Sequence, residues 1–187
     1  MASIVSVEQL KGLASGSTPN TITVPTGQIL TAPGHVIQVQ SVAKTNRFST
    51  TSTSITDVTG LAVTITPKFA NSKILVRGFI NTSTTNASFC SVLLARDSTQ
   101  IFQGDLDGVR PQATAMSYEE QNTGVQSSHA PEFLDSPATT SAITYKFQVR
   151  VGSGGGAMYV NRSARHDNYA TYDMTTASSI TVMEIAQ

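Results

Sequence analysis

The chain has 187 residues, with 12 basic and 12 acidic side chains and a formal net charge of zero. Only 13% of its residues are charged, against roughly a quarter in an ordinary domain, and Ser and Thr carry the polarity instead. Duplex binding normally draws on a basic excess that displaces counterions, so nucleic acid is not an expected partner.

This length suits one domain with an appendage. Thr-rich composition favours pleated sheet over helix. The single cysteine, Cys90, rules out an internal disulfide framework. The opening "MASIVSVEQLKG" lacks the basic region and long apolar run of a signal peptide. "KILVRGFI" is broken by Arg77, and no segment approaches the roughly 20 apolar residues of a membrane helix. The expectation is a soluble protein made in a cytoplasm, with no membrane partner.

In chain order, residues 3–13 suit a short helix or a strand-like arm, because Ile4, Val7, Leu10 and Leu13 recur at near-helical spacing. Gly12 and "ASGSTPN" stop any helix there. "TITVPTGQILTAPG" is extended and turn-rich. From His35 the period becomes two. "HVIQVQSV" alternates in part, and "LAVTITP" puts Leu61, Val63 and Ile65 on one face. "KILVRGFIN" is apolar on both faces apart from Arg77, which suggests a central strand; "SFCSVLLAR" is similar. In "SAITYKFQVRVG", Ile143, Tyr145, Phe147, Val149 and Val151 face one way, opposite Thr144, Lys146, Gln148 and Arg150. "AMYVNRS" and "SSITVMEIA" complete the set. This predicts eight to ten strands, no strong internal helix, and one or two short strands within 104–140. The expected fold class is all-β: an antiparallel β-sandwich (jelly roll) over residues 35–187, preceded by an extended N-terminal arm over 1–34.

Each motif with chemical content has a blander reading that fits better. Ser163, His166 and Asp167 are triad residue types, but they are nearly adjacent and no G-x-S-x-G elbow is present, so a solvated loop is expected. "GDLDG" with Asp105 and Asp107 starts like a calcium loop and then departs from the pattern at Val109, Arg110 and Pro111; a turn is expected. His35, His129 and His166 show no metal-ligand spacing, apart from a weak His129–Glu132 match, and read as surface residues. Cys90 lies in an apolar strand and is expected to be buried and inert. "GSGGG" (152–156) precedes a strand rather than a helix, so it reads as a hairpin turn and not a phosphate cradle. Sequons occur at Asn81, Asn86 and Asn161. Tyr169 and Tyr172, with Asp167, Asn168 and Asp173, offer a sugar-stacking surface, an ordinary loop or a subunit contact. No catalytic, cofactor or metal site is expected.

"TITVPTGQILTAPGHVIQVQSV", "FSTTSTSITDVTGLAVTITPKFANSKILVRGFIN", "LLARDSTQI", "MYVNRS" and "SSITVMEIA", in this order, resemble small virion proteins of tailed bacteriophages, especially marine and cyanobacterial phages. The resemblance implies a trimeric jelly roll located in the virion after synthesis in the host cytoplasm. It implies a non-enzymatic head-decoration (cement or head-fibre) or tail-fibre protein. The major capsid protein or another virion protein would be the partner. Decoration is favoured, since no coiled coil or shaft repeat gives reach; a tail-fibre component or a tip that binds a receptor or host surface glycan is the alternative. The arm residues expected to dock are Ile4, Val7, Leu10, Leu13, Ile22 and Val24. In a trimer, strands 73–81 and 88–95 would lie at the axis; burial between the two sheets is the other explanation of their apolar faces.

Overall fold

Strands dominate because the alternating segments can bury one face only by pairing edge to edge and stacking as layers. The structure, a computed structural model, describes residues 24–85, 88–118, 124–152, 155–165, 168–171 and 173–187. The chain forms two units, 1–31 and 32–187. In the first, the described residues include a turn closed by the amide of Gln28 on the carbonyl of Pro25 (3.0 Å), with Gly27 at φ +87°.

In the second unit, twelve strands lie among the described residues. They are β1 (Val36–Lys44), β2 (Phe48–Thr50), β3 (Thr56–Ile65), β4 (Lys73–Thr84), β5 (Phe89–Arg96) and β6 (Thr99–Ile101). There follow β7 (Ala115–Tyr118), β8 (Ser127–His129), β9 (Glu132–Asp135), β10 (Ile143–Val151), β11 (Met158–Val160) and β12 (Ser178–Ile185). All pairings are antiparallel. One sheet runs β1-β12-β4, with β9 and β8 on the far edge of β4 and β11-β2 beside its C-terminal end. The other runs β3-β10-β5, edged by β6 and β7. The neighbour order is β1-β12-β4-β9 in one sheet and β3-β10-β5 with β7 at its edge in the other. That order is a jelly roll, so the all-β sandwich read from the sequence is the observed fold.

The core lies between the sheets. Ile74, Val76 and Ile80 of β4, Ile180 and Val182 of β12, Val92 and Leu94 of β5, and Tyr145, Phe147 and Val149 of β10 are all sealed from water. Leu61, Val63 and Ile65 join them, as their alternation predicts. A bulge opposite Lys146–Gln148, with Gly60 at φ +80°, lets Val58 and Leu61 both face inward. β4 is central as expected, pairing along both edges, and Arg77 points outward to solvent.

Three details differ from the sequence expectation. Twelve strands replace eight to ten, and 104–140 holds three rather than one or two, because short edge strands need only three or four paired residues and leave little periodicity. The Ser/Thr-rich stretch 49–60, which falls between the strands read from the sequence, contributes residues 49–50 to β2 and 56–60 to β3. "GSGGG" does not join a hairpin, because β10 and β11 lie in different sheets. Gly152 and Gly156 serve close approach instead: a Cβ would lie 2.6 Å from the Phe89 carbonyl oxygen at one and 2.6 Å from that of Thr85 at the other.

Candidate functional site

Polar side chains in the interior gather into clusters that join strands distant in sequence. Arg96 of β5 donates to both Asp135 oxygens (2.9 and 2.7 Å) from the opposite sheet, and the Tyr145 hydroxyl donates to Asp135 Oδ2 (2.7 Å). Burial, then the bond and charge of Asp135, push the Tyr145 phenol well above its usual range. Arg96 is desolvated, but its bond to Asp135 wins and holds it charged. Glu184, fully buried on β12, accepts from Gln38 Nε2 (2.6 Å) and from the amides of Lys68 (2.7 Å) and Phe69 (3.2 Å), pinning the β3–β4 connection. Asn161, at φ +64°, donates to the carbonyls of Lys44 (2.8 Å) and Asn46 (3.1 Å) and accepts from Ser178 Oγ (2.6 Å). Asn81 accepts from Ser128 Oγ (2.5 Å) and donates to the Ala177 carbonyl (2.7 Å). Two of the three sequons, Asn81 and Asn161, are therefore structural hubs sealed from a glycosylating enzyme, and Asn86 lies outside the described residues.

A serine–histidine contact arises that no spacing along the chain suggests. Ser117 of β7 sits 2.8 Å from His129 Nε2 on β8, and Thr82 of β4 lies 3.1 Å from the same nitrogen and 2.5 Å from Ser117. Burial lowers the His129 pKa, favouring the neutral ring that can accept a hydroxyl proton. That is a nucleophile–base distance. Both hydroxyls are nevertheless buried, Ser117 at 1% and Thr82 at 0% exposure, so substrate cannot reach them. The trio bridges the two sheets as a clamp. His129 is half-buried rather than the surface residue expected, because β8 docks on β4.

Of the arm residues, Val24 is 42% exposed; Ile4, Val7, Leu10, Leu13 and Ile22 lie outside the described residues. Ser163 is not in a solvated loop: it is buried and donates to Asp173 Oδ1 (3.0 Å), while His166 and Asp167 lie outside the described residues. Asp105 and Asp107 sit on an exposed turn, where Asp107 pairs with Arg110. His35 is exposed in the turn before β1. Cys90 is buried, facing the core as expected.

One surface cleft, about 270 Å³, is lined by Arg47, Arg162, Ser163, Asn168 and the segment 173–175. Arg162 is held in place there. Its guanidinium lies 4.0 Å over the Tyr159 ring, and Nε and one Nη donate to the carbonyls of Ser163 (3.0 Å) and Ala164 (3.3 Å). Burial lowers its pKa, and the nearby charge of Arg47 acts in the same direction. Asn168 and Asp173 of the expected sugar surface line this cleft, and Tyr169 is exposed nearby in sequence; Tyr172 lies outside the described residues. The cleft offers guanidinium donors and a carboxylate acceptor to a polar ligand. The two arginines, 115 positions apart in sequence (162 − 47), meet only because β11 pairs with β2.

The fold and these clusters together define a cross-braced jelly-roll domain. No family model matches the sequence, and no curated protein matches it. Among solved structures, the chain is similar to that of the infectious bursal disease virus Gx strain: 12% identity, 89% of this chain, 46% of that chain, TM-score 0.42. It is also similar to the T13 particle of the same virus (13% identity, 88% and 43% of the two chains, TM-score 0.43). A third likeness is to the T=1 particles derived from that virus (11% identity, 89% and 44%, TM-score 0.42). The chain spans less than half the length of each of these proteins. At such identities and scores the likeness says nothing about what the chain does.

Proposed function

We propose that this chain is a non-enzymatic structural protein of a virion, a trimeric capsid-decoration protein of a tailed bacteriophage, attached through residues before the jelly roll. The observation that carries the reading is the jelly-roll strand order itself, found in a chain whose ordered segments resemble phage virion proteins. Buried polar clusters that link the two sheets suit a body that keeps its shape without chemistry. The arm, including Ile4, Val7, Leu10, Leu13, Ile22 and Val24, is the address: such a segment docks by strand addition or by seating apolar side chains in a groove.

Deletion of residues 1–31 tests this, since the second unit begins at Ala32. The expected outcome is a body that melts cooperatively but is missing from purified virions, read by mass spectrometry. A truncated chain that still enters virions removes the arm as anchor, and one that cannot fold makes it part of the body. Absence of the full-length chain from virions ends the structural reading.

The cleft at Arg47 and Arg162 favours a second reading, a tail tip that binds a host surface glycan. Arg162→Ala would then abolish binding to host polysaccharide while leaving incorporation intact.

A further inference from the structure

The two outer faces of the sandwich are unlike. On the β3-β10-β5 sheet, the outward positions of β10 are polar and bonded to neighbours. Lys146 pairs with Asp57 (2.7 Å), Gln148 bonds Asp57 and Gln100 (2.6 and 3.0 Å), and Thr144 meets Thr64 (2.8 Å). The middle of that face is finished for water, while exposed Phe89, Met116 and Tyr118 stand only at its β5–β7 side.

The opposite sheet is not finished in this way. Its register sets Val39 beside Met183, Met183 beside Leu75, and Leu75 beside Leu134, all pointing outward. This makes one apolar row across β1, β12, β4 and β9, with cross-strand neighbours about 5 Å apart. Val36 beside Ile185 starts a second row next to it. Val39 and Leu134 are 50% and 49% exposed, and Val36 is 40% exposed. Beside the ridge lies a hollow of about 330 Å³, lined by the small residues Gly78, Ala130, Ser179 and Thr181 together with Arg77, Phe79 and Met183.

We propose that this face of the β1-β12-β4-β9 sheet joins copies of the chain to one another. The inference rests on the oligomeric building-block reading above and names its contact surface. Two properties favour a second copy as the occupant. The face carries both a ridge and a hollow, so the ridge of one copy can seat in the hollow of the next, the head-to-tail contact that closes a ring of three. It is also balanced in charge: Arg77 and Glu132 pair within the face at 2.7 Å, both more than half exposed, and Lys73 stands at its end. An identical partner therefore meets little like-charge repulsion. Sheet packing at about 10 Å would then cover the row.

The test uses the full chain in sedimentation velocity across a dilution series. The wild-type chain is expected to form a defined oligomer. Val39→Lys and Leu134→Lys, at half-exposed positions that a folded monomer tolerates, should each weaken association about tenfold or more with an unchanged melt. Met116→Lys, on the outer face of the other sheet, should not. A monomeric wild type overturns both the oligomer and this face. An oligomer untouched by the Val39→Lys, Leu134→Lys double variant overturns the face alone and moves the contact elsewhere.

Discussion

At Gly78 the missing side chain is what the fold uses. It faces inward on β4, opposite Phe147 of β10, and a Cβ there would lie 2.7 Å from Phe147 Cε2 and closer still to Cζ. The glycine lets a fully buried ring reach across the sandwich to the opposite backbone. Gly78→Ala should cost about 1–3 kcal/mol by overpacking. Phe147→Leu in that background should cost at least ~0.5 kcal/mol less than in wild type, because the two residues share one space. Additive urea midpoints for the two changes would refute the contact. Nothing in "LVRGFI" announces this role: a strand glycine signals close approach, but only pairing and stacking reveal what approaches.

Among the elements, the short edge strands do more than their length suggests. β9 has four residues, yet it carries Asp135 to Arg96 and Tyr145 of the other sheet. Asp135→Ala leaves a desolvated guanidinium and a buried hydroxyl without their acceptor, and should cost about 3 kcal/mol or more in chemical unfolding. Tyr145→Phe removes one donor and leaves the ion pair, so a cost of about 1 kcal/mol is expected. Equal costs for the two changes would mean the pair is not a working clamp. The long strands were legible in the sequence: β10 shows its buried side at Ile143, Tyr145, Phe147, Val149 and Val151 as alternation predicts. β2, β6, β8 and β9 were not, since three or four residues cannot establish a period and their pairing comes from the neighbouring strand. The clusters at Ser117–His129 and Arg47–Arg162 were invisible for the same reason, because their members are gathered by pairing and not by spacing.

For the whole molecule, His129 makes stability depend on pH. Burial lowers its pKa below the ordinary 6.5, so the unfolded chain binds a proton at a higher pH than the folded one. Above that value both states are neutral and the residue adds no slope. As pH falls through 6.5 toward the lowered value, the unfolded state gains protons first and stability is lost. Urea midpoints should therefore fall between about pH 7 and pH 5, and His129→Gln should flatten that part of the curve. Identical slopes in the two proteins would show that the histidine is not the source.

The sequence by itself determined the fold class, the central place of β4 and the inward face of the long strands, because period-two burial is written in neighbouring residues. It also set the neutral, Ser- and Thr-rich character of the chain. Tertiary structure alone decided which sheet each strand joined, which buried polar groups met, and which outward apolar side chains came to lie in one row. Those outcomes depend on register between strands up to about 150 positions apart, such as β1 against β12, and a one-residue slip would turn every side chain to the other face.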